Sequence, residues 1–463
     1  MILNLILGSL ALLSLALTLW QWLVARRFPL HQRVPQPSPF TPQHPVSLLK
    51  PLKGHDTATE DCLRSWFAQQ YAGPTQILFG VADGEDPVCG IVRKLLQEFP
   101  GSYAQLVVCG PLLGANAKVS KLVELERMAK HEIIIVSDAD VRVPPDFLAN
   151  FVGPLCAVPL FGPMVEGSAG VAPARVAADV SRRHLQCGQN APTDVGGYAK
   201  MVNPAGCGGS EAGEQACGLV CCFYRLANPT TLAMQWEAVA INADFWSQVL
   251  QSRSLKPINF ALGAVMATRR QHLWEIGGFA GLVDCLADDY QLGNRIARRS
   301  HAIALSPVVV ECWSAPMGWA DVWKHQLRWA RTIRVCQPAP YFFSLLSNAT
   351  LWPLLWLSVK PAMPVAACAS FCWLVRILTA LDFQRRLSQD PGPGGRASPR
   401  APSDRTPEAP SPAPWHYAWL IPVKDLLQAG IWLLAFLGNR IEWRGQRMRL
   451  RRDGTLERLN HLR

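Results

Sequence analysis

The chain has 463 residues, of which 49% are hydrophobic and 17% are charged, and its formal net charge is +11. Soluble domains usually carry about a quarter charged residues, so this composition argues against a wholly soluble protein and indicates association with a membrane. The length leaves room for two or three domains.

The first 25 residues contain no charge and are long enough to cross the hydrocarbon core of a bilayer, which takes about 20 residues. No basic segment precedes this apolar run and no A-x-A site follows it, so a membrane anchor is favoured over a signal peptide. Arg26 and Arg27 come directly after the run. By the positive-inside rule, we expect residues 1–25 to be a transmembrane anchor followed by cytoplasmic chain.

A soluble α/β domain is predicted for residues 46–340. Short apolar runs such as QILFGV (76–81) and EIIIVS (132–137) alternate there with helical patterns. This alternation predicts a mostly parallel sheet, whose ligands lie at the carboxyl ends of the strands. Residues 158–216 interrupt the pattern, since they are rich in Gly, Ala and Pro and lack periodicity. They are interpreted as a disordered insertion, with a regulatory lid as the alternative.

The chain becomes apolar again towards its C-terminus. Residues 341–383 are long enough for two transmembrane helices, broken near 359–364 by two prolines. Residues 384–414 have the composition of a Pro-rich linker. A further apolar segment, 415–438, is predicted to be transmembrane or re-entrant.

This last apolar segment carries Lys424 and Asp425 in its middle, so it either lies partly in the interface or pairs its charges. The basic tail that follows, residues 439–463, is expected in the cytoplasm. Its position directly after an apolar segment favours anionic lipid over nucleic acid as its partner. Three complete C-terminal spans would export this tail, so one of them is expected to be re-entrant or interfacial.

Two aspartates, Asp138 and Asp140, end the apolar run IIIVS. Carboxylates this close repel each other, and a divalent cation removes that repulsion. Mg²⁺ or Mn²⁺ characteristically takes one or two carboxylates together with substrate phosphates. An ordinary turn in which Asp140 caps a backbone amide explains the pair equally well.

Two more carboxylates lie at comparable places. Asp83 ends another apolar run beside a glycine, which suits contact with the base or ribose of a nucleotide; a plain Asp-Gly turn is the alternative. Asp289 follows Asp288, and a carboxyl beside other carboxyls suits a general base with a raised pKa. Capping of the helix that begins there is the alternative interpretation of Asp289.

Basic and aromatic residues complete the candidate set. Lys118 lies in a turn of small residues that enters a helix. Arg328 and Trp329 come just before the apolar C-terminal part, where they suit the binding of a diphosphate and stacking on an acceptor. An interfacial Trp with a snorkelling Arg is the alternative.

These residues, in this order, resemble the D, D, D, (Q/R)xxRW series of membrane glycosyltransferases with the GT-A fold. The resemblance is closest to ceramide glucosyltransferases and the similar bacterial hopanoid-biosynthesis glycosyltransferases. It covers about 46–158, 217–345 and the C-terminal part. The motifs that carry it are VSLLKPLKGHD (46–56), VADGEDP (81–87), SDADVRVPPDFL (137–148), ADDY (287–290), HQLRW (325–329) and EWRGQRMRLRRDG (442–454).

The resemblance implies a GT-A-type α/β domain with transmembrane helices on both sides. It also implies the site residues: Asp289 as the catalytic base, and Asp138 and Asp140 as ligands of a divalent cation. The residues it implies for binding the nucleotide sugar are Asp83, Lys118, Asp138, His325, Arg328 and Trp329. One position departs from the family pattern, because His325 stands where the motif has Gln or Arg.

The activity implied by the resemblance is an inverting, metal-dependent transfer of a hexose from a UDP-sugar to the hydroxyl of a membrane lipid. The expected partners are therefore a UDP-sugar, a lipid acceptor and the bilayer, and no nucleic acid. Ceramide is the leading acceptor, and transfer of glucose or N-acetylglucosamine to a hopanoid lipid is the alternative. A membrane-anchored binding protein without catalysis is a second alternative, in which the aspartates serve only as caps and turns.

Overall fold

The computed structural model describes five stretches of the chain, residues 1–33, 43–156, 216–389, 417–443 and 446–459. The insertion predicted for 158–216 lies outside them apart from Ala216, and the linker predicted for 384–414 lies outside them beyond Gln389. The described residues contain an eight-stranded sheet, the helices that flank it, a group of apolar helices and a small three-stranded sheet.

The larger sheet is mixed, with a parallel half. Its strands are β1 Val46–Pro51, β2 Thr75–Val81, β3 Tyr103–Val108, β4 Ile133–Ser137, β5 Val141–Arg142, β6 Cys217–Leu226, β7 Val265–Arg269 and β8 Ala302–Cys312. The order across the sheet is β3-β2-β1-β4-β7-β6-β8-β5. The first four are mutually parallel, β6 and β8 are also parallel, and β7 runs antiparallel to both of its neighbours. The predicted α/β fold with a mostly parallel sheet is confirmed.

β4 shows why the central strands are apolar throughout. Its residues from Ile133 to Val136 are at most 2% exposed. Ile134 and Val136 pack into the core on one face of the sheet, and Ile133 and Ile135 pack into the core on the other. β-branched side chains fit such a doubly covered strand well. The strand therefore holds rigidly the residues that follow it.

In chain order the helices of the described residues are α1 Ile2–Arg27, α2 Thr59–Phe67, α3 Val88–Glu98, α4 Ala117–Met128, α5 Phe147–Phe151, α6 Gly153–Cys156, α7 Leu232–Val239, α8 Trp246–Leu255, α9 Arg270–Glu275, α10 Asp288–Arg298, α11 Trp319–Cys336, α12 Pro338–Phe343, α13 Leu351–Val359, α14 Met363–Ser388 and α15 Leu420–Phe436. Between α7 and α8 the chain forms a π-helical turn, Ala240–Phe245. Two short 3₁₀ turns occur as well, Phe279–Leu282 and Ser344–Ser347.

The apolar helices expected on both sides of the α/β region are present. α1 and α14 each have 26 residues and are apolar enough to cross a membrane. α12 with the 3₁₀ turn after it, and α13, form a bent pair that meets at 55° and passes the same test together. α15 has 17 residues, which at 1.5 Å per residue gives about 26 Å, slightly less than a hydrocarbon core of about 30 Å.

The C-terminal part forms a second sheet of three antiparallel strands, β9 Arg440–Trp443, β10 Gln446–Leu450 and β11 Leu456–Arg458. Ile441, Met448 and Leu450 are buried in one small core with Leu286 of the α/β domain. From the sequence, these residues were expected to form a basic tail that includes the motif EWRGQRMRLRRDG, and no strand was predicted in them. The alternation of Arg and apolar residues in QRMRL, with the period of a strand, is the signal that identifies β10.

Candidate active site

The turn after β4 is held by neighbouring strands. The Lys50 ammonium of β1 donates to the backbone oxygen of Asp138 at 2.7 Å and to Ser137 Oγ at 3.1 Å. The N–H of Trp313, just after β8, donates to the backbone oxygen of Asp140 at 2.9 Å. These bonds fix the backbone from which both aspartate side chains project.

Lys118 joins this turn to the start of α10. Its Nζ atom lies 2.7 Å from Asp138 Oδ1 and 2.9 Å from Asp288 Oδ2, and its side chain is 12% exposed. Burial by itself lowers the pKa of a lysine, but the two carboxylates outweigh burial here and raise the pKa of Lys118. The side chain is therefore a fixed cation between two of the predicted motifs.

The buried Asn116 sets the position of Lys118. Asn116 Oδ1 accepts the N–H groups of Lys118 at 3.0 Å and Val119 at 3.2 Å, so it caps the N-terminus of α4. Its Nδ2 donates to the backbone oxygen of Cys285 at 2.8 Å. One amide side chain thus connects the loop before Lys118 with the loop before Asp288.

Lys50 is a site residue that the sequence analysis did not single out. It is wholly buried within β1. Burial lowers its pKa to about 8, although the neighbouring Asp140 and Asp138 oppose that shift. The signal in the sequence is a lysine inside the apolar run VSLLKPL. A charged group in such a run needs partners, and here they are the turn after β4.

Two carboxyl groups of the site have raised pKa values. Burial, followed by repulsion from Asp138, raises the pKa of Asp140 to about 6. Burial, followed by repulsion from Asp288, raises the pKa of Asp289 to about 6, while Lys118 opposes that shift. Carboxyls shifted in this way are typical of sites that bind cations or transfer protons. Asp140 is one of the two predicted metal ligands, and Asp289 is the predicted base.

The charges of this cluster fit a divalent cation. Its four carboxylates outnumber the ammonium groups of Lys50 and Lys118, so the fully ionised cluster carries two negative charges in excess. Within the described ranges, no group of three or more His, Cys, Asp or Glu side chains is placed to hold a metal ion alone. Asp138 and Asp140 provide two carboxylates, and Mg²⁺ or Mn²⁺ characteristically takes one or two carboxylates together with substrate phosphates.

Asp289 lies in the first turn of α10, where a negative charge interacts favourably with the helix dipole. Its Oδ1 accepts the N–H of Tyr290 at 2.8 Å. Its Oδ2 lies beside Gly263, where an added Cβ would come within 2.8 Å of that oxygen. Glycine at position 263 leaves the space that this carboxylate occupies.

Asp83 lies apart from the Lys118 cluster. It is exposed in the turn after β2, and its Oδ1 accepts the N–H of Glu85 at 3.0 Å. Among the described residues, no hydrogen bond or ion pair joins Asp83 to Asp138 or Asp289. Because β2 and β4 run parallel with β1 between them, Asp83 and Asp138 nevertheless lie at the same edge of the sheet.

A second group of predicted residues lies on α11. His325 Nδ1 is 2.6 Å from Glu237 Oε1, and Gln326 Nε2 donates to the same oxygen at 2.9 Å. Glu237 belongs to α7 and is 1% exposed. Glu237 was not predicted from the sequence, although an acid in the apolar helix LAMQWEAV is a signal that a partner exists. In a neutral imidazole, donation from Nδ1 to Glu237 leaves Nε2 as an acceptor.

Aromatic rings connect α11 to the rest of the site. The Trp329 ring lies 4.7 Å from His325 and 6.2 Å from Phe245, measured between centroids, and Phe245 lies 5.5 Å from Tyr224. Burial, followed by negative charge from groups that include Asp289, raises the pKa of Tyr224. Arg328 is half-buried beside Trp329.

The C-terminal sheet supports both loops that carry the charged cluster. The N–H of Leu456 donates to the backbone oxygen of Asp284 at 2.7 Å, and the N–H of Leu286 donates to that of Gly454 at 3.2 Å. The Arg458 guanidinium donates to the backbone oxygen of Gly114 at 3.5 Å. These contacts lie a few residues before Asp288 and Lys118.

The chain is similar in sequence to ceramide glucosyltransferases. The chain is 32% identical over 117 residues to ceramide glucosyltransferase 1 of Caenorhabditis elegans, which covers 25% of this chain and 24% of that protein. It is 32% identical over 133 residues to ceramide glucosyltransferase of Candida albicans, with 26% and 24% covered. The matched part is thus about a quarter of the length of these curated relatives.

A mannosyltransferase of Pyrobaculum calidifontis, solved with GDP-Man and Mn²⁺, is similar over 83% of this chain and 96% of that one, with 18% identity and a TM-score of 0.47. Residues 6–190 and 210–456 of the chain match the protein family described as "Glycosyl transferase family 21". That match includes every residue of both groups in the site. It confirms the predicted family, and the chain belongs to glycosyl transferase family 21.

Proposed function

We propose that the chain transfers a hexose from a UDP-sugar to the hydroxyl of a membrane lipid, with ceramide as the leading acceptor and inversion at the sugar. One observation carries this proposal: Lys118 joins Asp138 to Asp288, so that the Asp138–Asp140 pair and Asp289 form one cluster. That cluster belongs to a chain with helices long enough to span a membrane.

Asp289 is the proposed base. Its carboxylate removes the proton of the acceptor hydroxyl while the oxygen attacks the anomeric carbon of the sugar. The bond between that carbon and the phosphate oxygen breaks on the opposite face, and UDP leaves with the electron pair. A carboxyl whose pKa is about 6 is well suited to accept this proton near neutral pH.

Asp138 and Asp140 are the proposed ligands of a divalent cation, which supplies neutralisation of the charge on the diphosphate. Lys118 holds Asp138 in place, and Lys50 holds the backbone of the same turn. Asp83, at the same edge of the sheet, is the proposed contact of the uridine part. Such fixed charges need no reorganisation during the reaction.

α11 is the proposed boundary between the donor and the acceptor. Arg328 is assigned to the leaving diphosphate and Trp329 to the acceptor. His325 takes the place of the Gln or Arg of the family motif, with its orientation set by Glu237. α11 is followed directly by α12, the first helix of the bent pair, and this continuity with an apolar segment supports the approach of a lipid alcohol to Trp329 from the membrane side.

The proposed arrangement has residues 46–340 as a catalytic domain on the cytoplasmic face, where nucleotide sugars occur. Arg26 and Arg27 at the end of α1 support this orientation by the positive-inside rule. α1 and α14 support a multi-pass arrangement, with 415–438 as a further span or re-entrant segment.

The test is transfer by the purified full chain in lipid vesicles. Labelled UDP-glucose and UDP-N-acetylglucosamine are each supplied with ceramide or a hopanoid polyol, and the product is identified by mass and by its anomeric configuration. The expected result is a β-linked glucosylceramide. A hopanoid product would change the acceptor, retention at the sugar would exclude direct displacement, and metal-dependent binding of UDP without any glycolipid would favour a binding protein.

A further inference from the structure

Four charged side chains meet inside the protein, far along the chain from one another. Arg376 of α14 donates to both carboxylate oxygens of Asp425, at 2.8 and 2.7 Å, and to Asp244 at 3.0 Å. Lys424 donates to Asp244 and to Asp425, the latter at 3.3 Å. All four side chains are less than a tenth exposed. The charges noted in the last apolar segment are therefore paired.

This cluster is complete without a ligand. Its two positive and two negative charges balance, and Thr350 Oγ1 donates to Asp425 Oδ2 at 2.7 Å. Buried ion networks contribute little to stability compared with apolar packing, and their best-supported use is to specify one arrangement of the elements that carry them. The elements here are α14, α15 and the π-helical turn of the α/β domain.

The π-helical turn leads from this cluster to the site. Asp244 is followed directly by Phe245, whose ring lies 5.5 Å from Tyr224 and 6.2 Å from Trp329. The helix before the turn carries Glu237, which holds His325. π-helical turns are rare and occur frequently at functional sites. One short segment therefore contacts the membrane helices at Asp244 and α11 at Phe245.

We propose that Asp244 is a positioning residue that determines how well the acceptor binds. Arg376 and Lys424 hold Asp244, and Asp244 fixes the Phe245 ring against Trp329. This inference rests on the proposed function, since Trp329 is the residue assigned there to the acceptor. It concerns the acceptor end of the site and leaves the donor end, around Asp138 and Lys118, unaffected.

The test uses the double variant D244L/K424M in the full chain. It removes one charge of each sign, so the bidentate Arg376–Asp425 pair remains balanced while the π-helical turn loses its ionic link to α14 and α15. The matched control is R26M/D382L, which removes the partly exposed ion pair of 3.1 Å that joins α1 to α14, together with the hydrogen bond from Trp22 Nε1 to Asp382. Melting temperature, the KM of the acceptor and the Kd of UDP without acceptor are measured for each protein.

We expect D244L/K424M to raise the KM of the acceptor at least tenfold while the Kd of UDP stays within twofold of the wild type. The control should leave both within twofold. An unchanged acceptor KM in the variant, or an equal weakening of UDP binding, would overturn the inference. If D244L/K424M does not fold, F245A decides, since it should show the same selective loss with the ionic cluster intact.

The outcomes also separate this inference from the proposed function. A wild-type chain that transfers sugar, together with a D244L/K424M variant that has a normal acceptor KM, contradicts only the role of Asp244. A wild-type chain that transfers no sugar to any lipid contradicts both.

Discussion

The ammonium group of Lys118 lies 2.9 Å from Asp288, the neighbour in sequence of the proposed base, Asp289. The same ammonium lies 2.7 Å from Asp138, so a single buried cation holds two motifs that are 150 residues apart in the sequence. Removing it leaves carboxylates close together without their counter-charge.

We therefore predict that K118M loses at least 100-fold in kcat for transfer, because the charges of the site lose their arrangement. Removing one partner of a buried ion pair lowers the free energy of unfolding by about 3 kcal/mol, so the melting temperature should also fall. K94M is the control, since Lys94 makes an exposed ion pair with Glu60 at 2.8 Å. A K118M protein with normal kcat would show that the cluster has no catalytic role.

Substitution of Asp289 by Asn is expected to lower activity and to raise stability. Its pKa of about 6 exceeds the usual aspartate value of about 3.9, so the folded state holds a proton that the unfolded state releases between about pH 4 and 6. Stability contributed by this group is therefore lost as pH rises through that window. At pH 7, D289N should be more stable than the wild type by at most about 3 kcal/mol.

The same variant should lose about a thousandfold or more in kcat, since the amide accepts no proton. In the wild type, kcat should increase as pH rises through about 6, where Asp289 ionises. Chemical unfolding at pH 7 and below pH 4, with kcat against pH, measures both effects. A D289N protein that is less stable than the wild type at pH 7 would contradict the burial argument.

Metal removal should abolish transfer, and Mn²⁺ or Mg²⁺ should restore it. Protons and the cation compete for Asp140, whose pKa is raised to about 6, so the apparent metal affinity should rise with pH through that value. D140N should weaken metal activation at least tenfold, whereas D321N, at an exposed position of α11, should not. Full activity in the presence of a strong chelator would exclude the proposed cation.

His325 provides a test of the departure from the family motif. H325Q restores a family residue that can still donate to Glu237, so transfer should stay within about threefold of the wild type. H325A should lose activity and stability, because among the described residues the buried Glu237 then keeps Gln326 as its one side-chain donor, at a cost of about 1–3 kcal/mol. Equal losses in H325Q and H325A would show that imidazole itself is required.

The predictable part of this protein is local in the sequence. The β-branched run before Asp138 identifies β4, and the parallel arrangement of β2, β1 and β4 follows from alternating strands and helices. Parallel strands bring their carboxyl ends to one edge of the sheet, so the position of both Asp83 and Asp138 at that edge was predictable. The start of a helix next to Lys118 was predictable from the turn of small residues there, and α4 begins at Ala117.

The remaining contacts join residues that are distant in sequence. Glu237 and His325 are 88 positions apart, and Asp244 and Lys424 are 180 positions apart. A lysine in an apolar run, such as Lys50 or Lys424, indicates in the sequence that a partner for its charge exists. The identity of that partner depends on how the helices and strands pack, which the sequence does not show. The C-terminal strands are short and rich in Arg, so the charge of this part indicates a basic tail, and the alternation of Arg with apolar residues is the signal for a strand.

The hydrogen bonds that join Gly454 and Leu456 to the loop before Asp288 have a consequence for biosynthesis: the Gly454 oxygen accepts from Leu286, and the Leu456 N–H donates to Asp284. A ribosome makes the α/β domain first, then the apolar helices, and these two residues only afterwards. The loop ahead of the proposed base thus acquires its backbone partners only after α15 has been made. A nascent chain whose C-terminal strands have not yet been made therefore holds an incomplete site, and on the proposed function we expect it to transfer no sugar.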